Sequence, residues 1–203
     1  MHAVQLGWRE DAEHNYAVAD GLARRAVALD PRAPLGHFAL GSTAMFLGRI
    51  DEALIEMREA IRLNPSHAAA HAIIASLLCY VGRADEALDS ARRALRLSPY
   101  DPRLGLWFAA VSQAQYFLRI YQEAAIIGQH ALSLISENPL AQRFVAASLG
   151  QLGRKTEAEP VMLRISQSPT PSIEAIKKSV ARLYRDEQMV EHLLDGLRKA
   201  GLQ

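Results

Sequence analysis

A period of 34 residues constrains this chain more than any other feature of its sequence. Residues 48–65, GRIDEALIEMREAIRLNP, and residues 82–99, GRADEALDSARRALRLSP, are identical at 11 of 18 positions without a gap. Pro31, Pro65 and Pro99 follow the same spacing of 34 residues. Regular periods of this size are typical of repeat architectures, in which each repeat packs mainly on its neighbours. The length of 203 residues is therefore set by the number of repeats in the chain.

The residue pattern inside each repeat predicts two helices. Alanine makes up about a sixth of the chain and aromatic residues only 6%, a composition that favours helix. Leu54, Met57 and Ile61 recur at helical spacing and form one apolar stripe. Small residues such as Ala53 and Ala60 suit the place where the two helices of a repeat cross closely.

Short polar segments predict where these helices end and begin. Gly48 and Gly82 suit the left-handed residue that ends a first helix. Asp51 and Asp85 are expected as N-caps of the second helices. In the next repeat, Asp101-Pro102 is expected as an N-cap followed by a first-turn proline.

The whole chain is expected to be one repeat array with an all-α fold. An α-solenoid of about five to six antiparallel helix pairs is predicted. Its parts are a partial repeat at 2–31, full repeats at 34–65, 68–99, 102–138 and 140–169, and a terminal pair of helices at 172–184 and 186–199.

The last predicted helix has the pattern of a cap. Val190, Leu193, Leu194 and Leu197 form its apolar stripe. Its outer face is polar and carries Arg185, Glu187, Glu191, Asp195 and Arg198. A repeat array needs a terminal element with a polar outer face, so we expect the pair within 172–199 to be a solubility cap; a partner-binding helix is the alternative.

The 34-residue pattern resembles the tetratricopeptide repeat, a helix–turn–helix unit. The residues that carry the resemblance are Leu40-Gly41, Gly48, Ala53, Ala60 and Pro65 in one copy, and Ile74-Ala75, Gly82, Ala87, Ala94 and Pro99 in the next. The resemblance implies a protein-interaction module in which the first helices of the repeats line a concave face.

A narrower resemblance concerns the parent protein. The segments LARRAVALDP, SPYDPRLGLWFAA and YRDEQMVEHLLDGLRKAGL resemble the C-terminal repeat region of bacterial class III adenylate cyclases. A similar tail also follows winged-helix DNA-binding domains of signalling regulators. Since the chain begins in the middle of a repeat, we expect it to be the C-terminal fragment of a longer protein, regulating an attached signalling domain.

Groups able to carry chemistry are sparse. The sequence has no phosphate-binding glycine loop and no HExxH zinc motif. His67 and His71 are four residues apart, with His37 equivalent to His71 one repeat earlier, but no matching third ligand is evident. Cys79 lies in an apolar stretch, where a cysteine acts as a small hydrophobic residue. We expect no catalytic, cofactor or metal site, and therefore no enzyme.

Charge and hydropathy narrow the classes of partner. The formal net charge is +1, which argues against nucleic-acid binding. The sequence contains no apolar run of about 18 residues and no visible signal peptide. We therefore expect no membrane partner and a cytoplasmic location.

The expected partner is a protein or peptide, or another domain of the same chain. By the resemblance, the concave groove would be lined by Phe38, Ser42, Met45, Phe46, Ala72, Ile73, Ser76, Tyr80, Arg103, Leu106, Gln113, Arg143, Ala147 and Gln151. Ordinary packing between repeats is the alternative role for these residues. A chaperone-tail clamp is not expected, because Phe38, Ser42 and Ile73 replace its Lys and Asn residues.

Two other functions stay open at this stage. Self-association through the truncated N-terminal repeat, with Leu6 and Trp8, would make a homodimer and hold catalytic domains together. A small-molecule sensor would need a closed apolar pocket near Trp107.

Overall fold

The computed structural model describes residues 12–168 and 172–203, and these residues form eleven helices and no strand. The predicted all-α class is confirmed. The helices are α1 (Ala12–Leu29), α2 (Pro34–Phe46), α3 (Ile50–Leu63), α4 (Ala68–Tyr80), α5 (Ala84–Leu97), α6 (Leu104–Phe117), α7 (Tyr121–Leu134), α8 (Pro139–Gln151), α9 (Lys155–Ser166), α10 (Ile173–Val180) and α11 (Glu187–Ala200).

The chain divides into two compact units, Met1–Ala70 and His71–Gln203. They are called the N-terminal unit and the C-terminal unit below. The predicted helix at 2–8, with Leu6 and Trp8, lies outside the described residues, as does the predicted break at 169–171. None of the described helices is long and apolar enough to cross a bilayer.

The turns between the paired helices follow the expected glycine pattern, with one exception. Gly48, Gly82 and Gly153 have φ angles of 77°, 81° and 72°, and each precedes the start of a second helix. This left-handed conformation carries no steric penalty for glycine. In the third repeat Arg119 takes the same conformation, with φ 62°, at a backbone cost that glycine avoids.

The predicted aspartate caps of α3 and α5 are wrong. The residues at the N-cap positions are Arg49 and Arg83, and neither side chain makes a capping hydrogen bond. Asp51 and Asp85 lie further along, in the first turns of these helices. A negative charge there is favourable because the helix dipole is positive at its N-terminus.

The expected cap before α6 is also displaced. Asp101 does not start the helix, which begins at Leu104. The Asp101 carboxylate instead accepts a hydrogen bond from the Arg103 backbone N–H at 2.9 Å. Asp101 therefore stabilises the turn that precedes the helix.

The N-terminal unit depends on a close crossing of α2 and α3. Met57, Ala53 and Ala60 on α3 are fully buried. A Cβ atom added at Gly41 of α2 would lie 3.1 Å from the Met57 Cε atom and 3.2 Å from the Ala53 carbonyl oxygen. The small residues that mark the repeat in the sequence therefore lie where the two helices approach most closely.

In the C-terminal unit, polar side chains connect neighbouring helices α6, α7 and α8. The buried Ser112 hydroxyl on α6 donates to the Ala124 carbonyl oxygen on α7 at 2.8 Å. Asn138 caps α8, since its side-chain oxygen accepts from the Leu140 backbone N–H at 3.1 Å. Its amide donates to the Gly105 carbonyl oxygen of α6 at 3.2 Å. These bonds fix α8 beside α6.

The last helix, α11, is well defined at both ends. The Asp186 carboxylate accepts from the Gln188 backbone N–H at 2.8 Å, and Gly201 ends the helix with φ 110°. The predicted apolar stripe is buried along its whole length, at Val190, Leu193, Leu194 and Leu197.

A substitution in the α2–α3 crossing tests the core of the N-terminal unit. Met57→Ala is expected to lower the free energy of unfolding by about 2–5 kcal/mol, since it leaves a cavity at a fully buried site. Urea denaturation followed by circular dichroism measures this change. The matched control is Ile55→Ala on the same helix, where the side chain is 63% exposed. Equal destabilisation by the two variants would contradict the assignment of the core.

Candidate functional site

Four of the residues predicted to line a groove lie on α2: Phe38, Ser42, Met45 and Phe46. The Phe38 ring stacks on His67 with 4.6 Å between ring centroids. Phe46 stacks on Tyr16 at the same distance of 4.6 Å. The Ser42 hydroxyl donates to the Phe38 carbonyl oxygen at 2.7 Å, within its own helix. Both phenylalanines therefore make ring contacts with other residues of the N-terminal unit, and Phe46 remains 48% exposed.

His37 was a candidate metal ligand by its spacing from the other histidines. In the structure both of its ring nitrogens make hydrogen bonds. Its Nδ1 atom lies 2.7 Å from the Glu56 carboxylate and its Nε2 atom 2.9 Å from the Pro31 carbonyl oxygen. Both partners offer acceptor oxygens, which favours the protonated ring, in which both nitrogens donate. Burial opposes this charge, but the carboxylate and the carbonyl outweigh it and raise the pKa of His37. Within residues 12–168 and 172–203, no three His, Cys, Asp or Glu side chains form a metal cluster.

The C-terminal unit carries a surface built from first helices of the repeats. This surface, the first-helix face, is formed by the end of α4, by α6 and by α8. Helix α11 packs along α8, and its His192 ring stacks on Tyr116 of α6. The residues before α11 reach further along the face, where the Arg185 backbone N–H donates to the Tyr80 carbonyl oxygen at 3.0 Å. The C-terminal segment thus lies along the first-helix face. The expected role of this segment as a solubility cap stays a prediction.

Two glycines allow α8 and α11 to approach until their backbones touch. A Cβ atom added at Gly150 would overlap the Gly196 carbonyl oxygen and lie 2.7 Å from the Ala200 nitrogen. A Cβ atom added at Gly196 would lie 2.6 Å from the Tyr116 hydroxyl and 2.8 Å from the Ala147 carbonyl oxygen. Atoms cannot pack at these distances, so the crossing requires glycine on both helices.

An aromatic cluster centred on Tyr116 surrounds this crossing. The Tyr116 ring is fully buried and stacks on His192 at 4.7 Å. It meets Phe144 at 5.4 Å and Phe117 at 5.5 Å, and Phe117 in turn meets Tyr184 at 5.5 Å. The Tyr116 hydroxyl donates to the His192 carbonyl oxygen at 2.6 Å. The cluster thus combines apolar burial with a hydrogen bond to the backbone of α11.

Tyr184 fixes the segment that leads into α11. The Gln113 amide donates to the Tyr184 hydroxyl at 2.8 Å, and Tyr80 meets the Tyr184 ring edge-on at 5.0 Å. Burial raises the pKa of Tyr80 to about 12 and that of Tyr184 well above its ordinary value. Tyr80 and Gln113, both predicted to line an open groove, are covered by this segment, with 8% and 0% of their surfaces exposed.

A polar rim borders the far end of α11. The Gln151 amide donates to the Asp195 carboxylate at 3.0 Å. Lys199 donates to the Gln151 side-chain oxygen at 2.9 Å and to Asp195 at 2.6 Å. The hydrogen bond from Lys199 lowers the pKa of Asp195. Gln151, another predicted groove residue, therefore also contacts α11.

His192 lies between the aromatic cluster and the rim. Its Nε2 atom is 2.9 Å from the Tyr121 hydroxyl. Burial lowers the pKa of His192, and the positive charges of Arg119 and Lys199 lower it further, against an opposing effect of Asp195. The neutral ring is therefore favoured when α11 is in place.

The other predicted groove residues of this unit have varied surroundings. Arg103 pairs with Asp101 at 2.9 Å and lies 5.7 Å above the Trp107 ring. Leu106 is 49% exposed. Arg143 is partly buried on α8, and this burial lowers its pKa. Two residues on α4 are also partly exposed, Ile73 and Ser76.

Cys79 is fully buried on α4. Burial raises the pKa of its thiol, so the reactive thiolate form is disfavoured. The side chain acts as a small hydrophobic residue, as expected.

Sequence reasoning missed the residues that form the centre of this site: Tyr116, Phe144, Gly150, Tyr184 and Gly196. One signal was available, because Gly150 and Gly196 stand inside helices, where glycine is unfavourable by about 1 kcal/mol relative to alanine. A glycine inside a helix is one sign that another backbone approaches closely, although Gly21 inside α1 has no such neighbour.

The lowered pKa of His192 makes the docking of α11 pH-dependent. The stabilisation of docked α11 by the neutral His192 ring is complete above pH 6.5, the ordinary pKa of histidine. It is lost as the pH falls through the lowered pKa of His192. We therefore expect the α11 amides to lose protection against hydrogen exchange, relative to α8, between about pH 7.5 and 5.5. The control His192→Asn should remove this difference. Local exchange is the right measurement, because the raised pKa of His37 acts in the opposite direction in the N-terminal unit. An unchanged pH response in the variant would contradict the assignment.

Comparisons with known proteins agree with this architecture. Residues 38–102 match the family model described as the tetratricopeptide repeat. PilF of Pseudomonas aeruginosa superposes with a TM-score of 0.66 at 18% identity, over 94% of this chain and 86% of that chain. A thermophilic tetratricopeptide-repeat protein of Thermus thermophilus gives 0.64 at 20% identity, over 88% and 96%.

A third solved structure is YrrB, described as a tetratricopeptide-repeat protein with an unusual peptide-binding site. It superposes with a TM-score of 0.57 at 18% identity, over 88% of this chain and 90% of that chain. No curated protein matches the sequence. At these identities the likeness concerns the fold, and the chain has the helix-pair fold of tetratricopeptide-repeat proteins.

Proposed function

We propose that this chain is a non-catalytic protein-binding module whose C-terminal unit recognises a helix on the first-helix face. The observation that carries the proposal is the position of α11, which a glycine crossing and an aromatic cluster hold on this face. Helix-in-groove recognition uses apolar anchors at helical spacing along one side of the bound helix. Leu193, Leu194 and Leu197 have this spacing and are almost completely buried.

The energetic centre of such a surface is its buried aromatic residues. Tyrosine is enriched among residues that dominate binding energies, since it offers a large apolar ring and a polar end. Tyr116 and Tyr80 supply both properties to this face. The peptide-binding site named for YrrB belongs to that protein, but it supports a peptide-binding role for this fold.

The module further regulates an attached signalling domain. The support is the sequence resemblance to the C-terminal repeat region of class III adenylate cyclases, and the alternative parent is a winged-helix transcriptional regulator. The coding sequence upstream of Met1 separates the two: a cyclase domain supports the first parent and a winged helix the second. An upstream sequence that encodes neither domain would contradict this part of the proposal.

Self-association is a second candidate function, favoured by an exposed apolar stripe on α1. Val18, Leu22 and Leu29 are 49%, 64% and 79% exposed and follow one another at about helical spacing. Contiguous exposed apolar surface often marks an interaction site. A homodimer through this stripe should become monomeric in the variant Leu22→Glu/Leu29→Glu, as measured by multi-angle light scattering. A strictly monomeric wild-type chain at high concentration would exclude it.

A blocked crossing tests the binding role of the first-helix face. Proteins captured by the immobilised full chain are titrated against Gly150→Val, which places a side chain where two backbones meet. We expect affinity to fall by about tenfold or more, as for a central contact of an interface. The control Ile126→Ala, at a 57% exposed site on α7 of the same unit, lies outside the first-helix face and should bind as the wild type does. Equal binding by Gly150→Val, or the absence of any captured protein, would count against the proposal.

A further inference from the structure

The geometry points to α11 as a displaceable, built-in ligand that competes with an external helix for the first-helix face. We commit to one kind of occupant: an amphipathic helix of a partner protein, with a glycine at the position of Gly196 and leucines on the same stripe. This inference rests on the proposed binding function and adds both the chemistry of the partner and the competition from within the chain.

Residues of α11 itself contribute to its helical structure. Asp186 caps its N-terminus at 2.8 Å and Gly201 ends it. Its ion pairs lie inside the helix or along its exposed side: Lys199 with Asp195 at 2.6 Å, and Arg198 with Glu191. These contacts stay with α11 when it leaves the face. Release of α11 from the face therefore removes no partner from these contacts.

The first-helix face sets few strict requirements for the sequence that it holds. Tyr116 donates to the His192 carbonyl oxygen, and the Tyr80 carbonyl oxygen accepts from the Arg185 backbone N–H. Both bonds are made to backbone that any helix and its preceding residues possess. Side chains of α11 add polar contacts, from His192 to Tyr121 and from Asp195 and Lys199 to Gln151. The strict requirements are steric and apolar: no Cβ atom at Gly196 and an apolar stripe beside it. Other amphipathic helices can meet these two requirements.

The docked C-terminal segment leaves buried polar groups of the C-terminal unit without hydrogen-bond partners among the described residues. The Gln113 side chain is fully buried, and among the described residues its Oε1 atom has no hydrogen-bond partner. Exchanging the amide nitrogen and oxygen moves the deficit to the other atom, since Tyr184 pairs with only one of them. The buried Ser148 hydroxyl also has no partner within the part of the chain that the structure describes. A buried polar atom left unpaired costs free energy, so a partner whose residues at the place of Tyr184 complete the hydrogen bonds of the Gln113 amide has an advantage over the chain's own segment.

Helices α6, α7 and α8 contact one another directly, without α11 between them. Ser112 bonds from α6 to α7, and Asn138 bonds from α8 to α6. A Cβ atom added at Gly128 of α7 would lie 2.5 Å from Val145 of α8, which places these two helices in direct contact. Release of α11 therefore uncovers the face without removing a contact between these helices.

A peptide of the chain's own segment, residues 184–203 with a fluorescent label, tests the inference. The receptor is the full chain carrying Gly196→Val, because the new side chain collides with Ala147 and Tyr116 and lifts its own α11. We expect the wild-type peptide to bind this receptor at least about tenfold more tightly than it binds the wild-type chain, where α11 competes. Fluorescence anisotropy gives both affinities.

Three controls make the result specific. A peptide carrying Gly196→Val should not bind, and a receptor carrying both Gly150→Val and Gly196→Val should bind no peptide. The full chain with Glu187→Val, at an exposed position of α11, should behave as the wild type. Where Gly196→Val lowers the helix content by circular dichroism, Leu193→Ala/Leu197→Ala weakens docking without added bulk and serves as the receptor.

Two outcomes would overturn the inference. Equal affinity of the peptide for the wild-type chain and both opened variants, or no binding to either variant, would show that the face does not exchange its helix. A wild-type dimer that dissociates when the peptide is added would assign the face to the segment of a second copy. Either result leaves the capture experiment on Gly150→Val unaffected, so failure of this inference is distinguishable from failure of the proposed binding function.

Discussion

The contact between the backbones of α8 and α11 determines how the C-terminal unit is assembled. Gly150 and Gly196 bring the two helices so close that a methyl group on either would collide with main-chain atoms. Only at this separation can the Tyr116 hydroxyl reach the His192 carbonyl oxygen at 2.6 Å. The stacked Tyr116 and His192 rings, and the Tyr121 hydroxyl bonded to His192, depend on the same separation. Shape at one crossing thus sets the position of a whole network.

Apolar burial stabilises this arrangement far more than its charges do. Leu193, Leu194 and Leu197 are at most 1% exposed, and full burial of each leucine contributes about 1.5–3 kcal/mol. The ion pairs of α11 are about half exposed, as for Lys199 and Asp195, and such pairs contribute about 0–1 kcal/mol. Removal of α11 therefore exposes leucines and tyrosines to water, which favours their replacement by another apolar helix.

The repeat pattern in the sequence predicted local structure well and long-range placement poorly. The glycine turns at Gly48 and Gly82 located the starts of α3 and α5, because a left-handed residue allows few alternatives. The aspartate caps were wrong because a carboxylate is also favourable within the first turn of a helix. The stripe on α11 predicted which side is buried but not which surface covers it, since any apolar face satisfies such a stripe. Gly150 and Gly196 mark the surface that covers the stripe, but that they pair with each other is evident only in the structure, where the two helices meet.

The tether of α11 to the face gives the site a thermodynamic property that an open groove lacks. A ligand on the same chain acts at an effective concentration of about millimolar for a short connection. If α11 is docked about 99% of the time, the apparent dissociation constant of a competing helix rises by about a hundredfold. The first-helix face then discriminates between competing helices by features that the chain's own segment lacks. The main such feature is a group that completes the hydrogen bonds of the buried Gln113 side chain. A helix that only repeats the leucine stripe has no such advantage, so occupancy of the site by apolar contact alone is suppressed.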